Sequence, residues 1–163
     1  QLLLVESSNE AAEVIAAQLG REEFIKLMNE KALSLGLTGT TFTDASGLDD
    51  GNISTVGDLL RLVQYIHFNR SFILELTLNQ DLPTAYVSGE SGELENFNLF
   101  KDINNLLGGK VGETLAAGQT SVTLHKVNVN GTERTLAVII LGSLEREQDV
   151  KKLLEYTEAR FTQ

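Results

Sequence analysis

The sequence predicts an α+β fold in which helices come first and an antiparallel meander sheet follows. Up to about residue 80 the apolar residues recur at helical spacing, and from Lys110 onward they alternate with a period of two. An Asn130-Gly131 pair, a strong hairpin signal, separates two of the alternating runs. The change of period therefore divides the chain into a helical part and a sheet.

Composition bounds the domain organisation and the partners. With 163 residues, 42% of them hydrophobic, the chain can bury one core, so we expect a single domain over residues 1–163. Its helical part covers about residues 1–80, and its sheet and closing helix cover about residues 108–163. The net charge of −10 repels phosphate backbones, so no nucleic-acid binding is expected. The apolar runs, such as residues 136–141, are too short to span a membrane.

The first predicted helix covers residues 7–19. Ser7, followed by Glu10 three positions later, is typical of a capping box, and Gly20 ends the helix. A second helix is expected over residues 21–35. The two helices are predicted to pack as a hairpin.

A third helix and a long connection follow. Ser54 or Thr55 is expected to cap this helix, which ends near Asn69. Residues 82–97 contain several turn-forming residues and the proline of the chain. They are predicted to form a loop with short extended pieces.

Three strands and a closing helix are predicted in the last third of the chain. The first strand begins at Lys110, the second covers residues 120–129 and the third covers residues 135–141. A helix over about residues 145–161 has one apolar face that can lie against the sheet.

Two short motifs stand out at opposite ends of the chain. Ser7-Ser8-Asn9 opens the first predicted helix, and Gly109-Lys110-Val111-Gly112-Glu113-Thr114 opens the first predicted strand. They correspond to S-x-N and, nearly, to K-T-G, two of the three elements of an acyl-transfer site. The third element, S-x-x-K, is absent.

Short segments along the whole chain are similar to segments of one enzyme family and occur in the same order as they do there. They are residues 2–12, 24–29, 32, 35–37, 41–42, 46–49, 54–55, 58–59, 109–114 and 117–118. In this order the chain resembles the C-terminal portion of the serine-type D-alanyl-D-alanine carboxypeptidases, relatives of penicillin-binding proteins and serine β-lactamases. The resemblance covers most of the chain. It implies a partial β-lactamase/transpeptidase-like fold.

The resemblance implies a role for each matched residue. Ser7 matches the S-x-N serine that relays protons, and Lys110 matches the cation beside the terminal carboxylate of the substrate. These two are the predicted catalytic residues. Asn9 is expected to bind the substrate backbone, Gly112 to let the substrate approach, and the N–H of Glu113 to form half of an oxyanion hole.

Two departures from the family pattern bear on activity. Val111, at a predicted substrate-binding position, lacks the hydroxyl of threonine or serine, a loss of about 1.5–3 kcal/mol in binding. No serine is followed three residues later by lysine. The nearest pattern, Thr123 with Lys126, lies in a predicted strand whose residues three apart face opposite sides. The chain alone, without an identifiable nucleophile, is expected to be inactive.

The resemblance also implies a substrate, a location and a partner. The substrate is a peptidoglycan peptide ending in D-Ala-D-Ala, and the location is exported, in the periplasm or cell envelope. The chain starts at Gln1 without a methionine, which we interpret as a processed or excised piece. In the family the preceding segment supplies two further strands. Strand 135–141 is therefore expected to be an apolar edge that binds a missing N-terminal fragment or self-associates.

No metal or cofactor is predicted. The chain has no cysteine, which excludes thiolate zinc sites. His67, on a helix, and His125, in a strand, lack ligand partners and are interpreted as structural or surface residues. Residues 44–51 contain acids that miss the positions of a calcium loop, so a capped turn is predicted there.

Three functional hypotheses follow from the sequence. In the first, the chain is part of a serine carboxypeptidase whose S-x-x-K half is removed from it or supplied separately. The second is a non-catalytic relative that binds cell-wall peptide or a partner protein, which Val111 slightly favours. The third is an isolated stable domain with no ligand role.

Overall fold

The computed structural model describes residues 2–78, 95–98, 100 and 103–161. Its elements are, in order, α1 (Asn9–Leu19), α2 (Arg21–Ser34), α3 (Val56–Asn69), α4 (Ser71–Leu78), β1 (Leu106–Thr114), β2 (Gly118–Val129), β3 (Thr132–Ser143) and α5 (Arg146–Phe161). The predicted α+β order of helices, meander and closing helix is confirmed. Within the described ranges, no helix combines the length and the apolar character needed to cross a bilayer.

Some boundaries differ from the sequence-based prediction. Helix α4 is not predicted, because its eight residues are apolar on most sides and show no helical stripe. Strand β1 begins at Leu106 rather than Lys110, since Gly108 and Gly109 have no side chains and hide the alternation. Of the predicted loop over residues 82–97, the part up to residue 94 lies outside the described residues.

The N-cap of α1 is Ser8, so the predicted capping box between Ser7 and Glu10 is wrong by one residue. Ser8 has the extended backbone that an N-cap requires, and its Oγ accepts a hydrogen bond from Ala11 N–H at 3.0 Å. Ser7 instead has φ of 57°, in the left-handed region. The side chain of Ser7 is thereby released from the helix end.

The three strands form an antiparallel sheet in the order β1-β2-β3. Lys110 lies opposite Val122, which in turn lies opposite Ile139. Asn130 and Gly131 connect β2 to β3 with φ of 51° and 74°, the two positive values that a tight hairpin turn needs. β1 and β3 are the two edges of this sheet within the described residues, as predicted for strand 135–141.

Helices pack on both faces of the sheet. Alternation along β2 directs Val127 to one face and Leu124 to the other. The α5 cluster, on the first face, contains Phe100, Val111, Val127, Val138, Ile140, Val150 and Leu154. The second cluster joins α3 and α4 to the sheet through Val63, Leu74 and Leu124. The sheet is therefore the layer that holds the helical part and α5 together.

Asp44 organises the connection between α2 and α3. Its carboxylate accepts hydrogen bonds from the N–H groups of Gly47 and Asp49 and from the side chains of Ser46 and Asn52. Burial acts to raise the pKa of Asp44, but the hydrogen bonds prevail and lower it to about 2. The predicted capped turn is confirmed.

His125 is fully buried in β2. Its Nδ1 lies 3.1 Å from Asn105 Oδ1, and its Nε2 lies 2.9 Å from Thr123 Oγ1. Burial lowers the pKa of His125 to about 4, so the ring is neutral at physiological pH. Of the two interpretations left open by the sequence, the structural one is confirmed.

Replacing Leu154 by alanine is expected to lower the free energy of unfolding by about 2–5 kcal/mol, because the α5 cluster would lose packing and gain a cavity. Leu154 is 7% exposed, whereas its neighbour Leu153 is 43% exposed. Leu153→Ala is therefore the matched control, with a clearly smaller expected loss. Urea unfolding measures both variants, and equal losses would contradict the packing of α5 on the sheet.

Candidate active site

The two motifs predicted from the sequence meet in the structure. The Nζ atom of Lys110, on β1, donates a hydrogen bond to the Oγ atom of Ser7 at 2.7 Å, although 103 positions separate the residues. Ser7 lies immediately before the N-cap of α1. The contact therefore ties the start of the helical part to the edge strand of the sheet.

The backbone at Ser7 is held in an uncommon conformation. A left-handed φ costs a serine on the order of 1–3 kcal/mol and persists only where the surroundings enforce it. Here the next residue, Ser8, is fixed twice, because its N–H donates to the carbonyl of Leu2 at 3.1 Å and its side chain caps α1. The turn thus presents the Ser7 hydroxyl to Lys110 and leaves capping to Ser8.

Lys110 is largely enclosed and has a second fixed acceptor. Its Nζ donates to the carbonyl oxygen of Val111 at 2.7 Å, in addition to Ser7. Burial is the main reason that the pKa of Lys110 falls from 10.5 to about 8, and the nearby cation of Arg146 adds to the effect. This amine can therefore gain or lose a proton much closer to neutral pH than an ordinary lysine.

Arg146 is a site residue that the sequence analysis missed. It is the first residue of α5, and its guanidinium donates to the carbonyl of Gly112 at 2.9 Å. The Arg146 side chain is 20% exposed and lies 3.8 Å from the carboxylate of Glu113. A cation at a helix N-terminus opposes the helix dipole, and that anomaly is the signal that could have identified it.

The outer edge of β1, away from β2, carries backbone groups that alternate in direction. Gly109 N–H donates to Thr77 Oγ1 at 2.9 Å, and Val111 N–H donates to Asn98 Oδ1 at 3.2 Å. Because this direction repeats every second residue, the N–H of Glu113 faces the same edge. The predicted oxyanion-hole donor thus lies on the accessible side of the strand.

The other predicted site residues differ in where their side chains lie. Asn9 is partly buried at the first position of α1, and its side chain makes no hydrogen bond within the described residues. A Cβ atom at Gly112 would lie 3.2 Å from Thr120 Oγ1, so a side chain there would be crowded. Val111 is 6% exposed and its side chain belongs to the α5 cluster. Only the backbone of Val111 therefore takes part in the site.

The arrangement combines one hydroxyl, two cations, the carboxylate of Glu113 beside Arg146, and an outward backbone N–H. Lys110 and Arg146 make this part of the molecule suited to an anion, although the chain as a whole is acidic. In the part of the chain that the structure describes, no cluster of three His, Cys, Asp or Glu side chains could hold a metal ion. The Lys110 amine and the Ser7 hydroxyl lie close enough to exchange a proton, and the two cations can attract a carboxylate.

Comparisons with known proteins identify the family to which the chain is similar. A family described as D-alanyl-D-alanine carboxypeptidase matches residues 1–143. The chain is 34% identical over 160 residues to a D-alanyl-D-alanine endopeptidase of Haemophilus influenzae, with 94% of this chain and 53% of that protein covered. A D-alanyl-D-alanine endopeptidase of Escherichia coli is 31% identical over 169 residues, with 96% of this chain and 52% of that protein covered.

Solved structures show the same similarity. Penicillin-binding protein D2 from Listeria monocytogenes, in a cefotaxime-bound form, matches with 33% identity and a TM-score of 0.72 over 94% of this chain and 62% of that chain. A D-alanyl-D-alanine carboxypeptidase from Mycobacterium tuberculosis matches with 29% identity and a TM-score of 0.76 over 96% and 61%. The chain spans about half the length of the curated relatives it matches.

The side-chain amine of Lys110 is expected to titrate near pH 8, and Arg146→Gln is expected to raise its pKa because one neighbouring cation is removed. NMR of the lysine Cε atoms follows the titration. Lys26 provides an internal contrast, since its hydrogen bond with Glu23 raises its pKa above 10.5.

The unfolded chain binds the Lys110 proton more tightly than the folded chain does. The free energy of unfolding should therefore rise between about pH 8 and 10.5. Titration of Lys110 together with Lys26 would contradict this site.

Proposed function

Because the chain belongs to the D-alanyl-D-alanine carboxypeptidase family, we propose that it is part of a serine peptidase acting on peptidoglycan peptides that end in D-Ala-D-Ala. In this proposal the chain supplies the side of the active site that binds the substrate and moves protons. The nucleophile comes from an S-x-x-K segment that this chain does not contain. The contact between Lys110 Nζ and Ser7 Oγ is the observation that carries the proposal.

The terminal carboxylate of the substrate is proposed to bind near Lys110 and Arg146. Both side chains are partly shielded from water, where charge-assisted hydrogen bonds are stronger than on an exposed surface. Arg146 also fixes the carbonyl of Gly112, which keeps the cation beside β1. A substrate strand lying along the outer edge of β1 could then bond to the N–H of Glu113.

Ser7 and Lys110 are proposed to relay the proton that the acylation steps require. A pKa lowered to about 8 brings Lys110 closer to neutral pH, where it can exchange a proton with the Ser7 hydroxyl. The amide of Asn9 is proposed to hold the peptide backbone of the substrate, because it can donate and accept at once. These roles make Ser7 and Lys110 catalytic residues and make Asn9, Gly112 and Glu113 substrate-binding residues.

The partner of the chain is proposed to cover the edge of β3. The chain spans about half of its relatives, and β3 has no strand on its outer side within the described residues. Leu141, on this strand, is 44% exposed. We propose that a missing N-terminal fragment pairs with this edge, or that two copies of the chain pair there when it is absent. By its family, the complete protein is proposed to be exported to the periplasm or cell envelope.

A non-catalytic relative that binds cell-wall peptide or a partner protein is the second candidate function. The observation that favours it is the burial of the Val111 side chain in the α5 cluster, so this position offers no hydroxyl to a carboxylate. Such a protein would keep the two cations and bind the peptide without cleaving it.

The chain is expected to bind a peptide ending in D-Ala-D-Ala and to bind its C-terminal carboxamide more weakly. Lys110→Met or Arg146→Gln should weaken binding of the carboxylate form roughly tenfold to hundredfold, the effect of losing one charged hydrogen bond. Titration calorimetry measures these affinities.

Lys126→Met is the matched control for this experiment. Lys126 lies on β2 with its side chain 53% exposed and paired with Glu133, so its loss should leave binding unchanged. Equal affinity for the carboxylate and carboxamide peptides would contradict the proposed function. If Lys110→Met and Arg146→Gln both bind the peptide as tightly as the unmodified chain, the carboxylate of the peptide binds at a different place.

The chain on its own is expected to self-associate as its concentration rises, and Leu141→Lys is expected to weaken the association because a charge blocks edge pairing. Leu153→Lys is the control, since Leu153 has almost the same exposure, 43% against 44%, but lies on α5. Light scattering after size-exclusion chromatography measures both. A monomer at all concentrations, with β3 exposed, would contradict the proposed pairing.

A further inference from the structure

Asn98 occupies a fully buried position between the N-terminal segment and β1. Its Nδ2 donates a hydrogen bond to the carbonyl of Leu4 at 2.6 Å, and its Oδ1 accepts one from the N–H of Val111 at 3.2 Å. Its own N–H is held by Asn96 Oδ1 at 2.9 Å. One side chain therefore bridges two backbone segments that are far apart in the sequence.

The two bridged segments are the ones that carry the site. Leu4 precedes Ser7 on a short stretch of backbone, and Val111 directly follows Lys110. A second, longer contact runs beside the bridge, from Phe97 N–H to the carbonyl of Val5 at 3.3 Å. The separation between the N-terminal segment and β1 is thus set where Asn98 lies, close to the point at which Lys110 reaches Ser7.

The chemistry of the bridge requires an amide side chain. Asn98 donates at one end and accepts at the other, and a carboxylate of the same shape could not donate to Leu4. An apolar side chain would leave a buried carbonyl and a buried N–H without partners. These demands explain why a polar residue is fully buried here.

We propose that Asn98 is a positioning residue of this site. It holds the segment that carries Ser7 at the position along β1 where Lys110 can contact it. It acts through two backbone groups and does not touch the reacting atoms. The inference deepens the proposed function and rests on it for the role of the contact between Ser7 and Lys110. The test measures the pKa of Lys110 and not peptide binding. The positioning role of Asn98 can therefore fail while peptide binding succeeds, and peptide binding can fail while the positioning role holds.

Asn98→Leu removes both hydrogen bonds and keeps a side chain of similar size. If the bridge positions the site, Lys110 loses Ser7 as an acceptor and becomes more hydrated, so its pKa should rise from about 8 toward 10.5. Asn29→Leu is the matched control, because Asn29 also donates and accepts hydrogen bonds, with the backbone of Phe42, in a partly buried position. Asn29→Leu should lower stability and leave the pKa of Lys110 at about 8, as followed by NMR of Cε.

A second measurement uses the unmodified chain and does not depend on the folding of a variant. The side-chain amide protons of Asn98 should be protected from exchange and should shift as Lys110 titrates, whereas those of Asn29 should be protected without this shift. A folded Asn98→Leu chain whose Lys110 pKa stays at about 8 would overturn the proposal. If that variant does not fold, the proposal is overturned when the Asn98 amide signals do not shift as Lys110 titrates.

Discussion

The hydrogen bond between Lys110 and Ser7 is the interaction on which the rest of the site depends. An ammonium group withdrawn from water needs fixed acceptors, because it has given up its hydration. The Ser7 hydroxyl and the Val111 carbonyl provide them at 2.7 Å each. Arg146 raises the electrostatic cost of the charged form further, so Lys110 is left ready to exchange its proton. The left-handed turn at Ser7, with Ser8 as the helix cap, leaves the Ser7 hydroxyl available for this contact.

Strand β1 connects this contact to the stability of the fold. Gly109 and Val111 use their outward N–H groups for structure, with Thr77 and Asn98 as partners. Two positions further along, the N–H of Glu113 faces the same edge, where we propose that the substrate pairs. One strand thereby anchors α4 and receives the N-terminal segment.

Much of this could be read from the sequence, for physical reasons that differ between residues. The meander was predictable because Asn130-Gly131 allows only a tight turn between alternating runs. The resemblance to the carboxypeptidase family implied that Ser7 and Lys110 belong to one site, and the structure brings them into contact. Arg146 left one indirect signal, a cation at a helix N-terminus, because its contact with Gly112 depends on where α5 begins beside β1. Asn98 was hidden, because a bridge between distant backbone groups leaves no periodic signal.

The local errors also have a physical origin. Ser7 and Ser8 are chemically identical, and the choice of cap was decided by the left-handed backbone at Ser7, which the sequence does not encode locally. Val111 was assigned to the ligand side because of its motif, yet strand alternation sends its side chain into the α5 cluster. Both cases show that a motif fixes which residues meet and that the backbone decides which atoms face the site.

We propose that this chain supplies carboxylate binding and proton transfer but not the nucleophile. Mass spectrometry after incubation with a labelled penicillin tests it directly, on this chain and on a longer polypeptide in which an S-x-x-K segment precedes it. A stable acyl adduct is expected on the serine of that segment and none on this chain. A stable adduct on this chain, at Ser7 or any other residue, would contradict it.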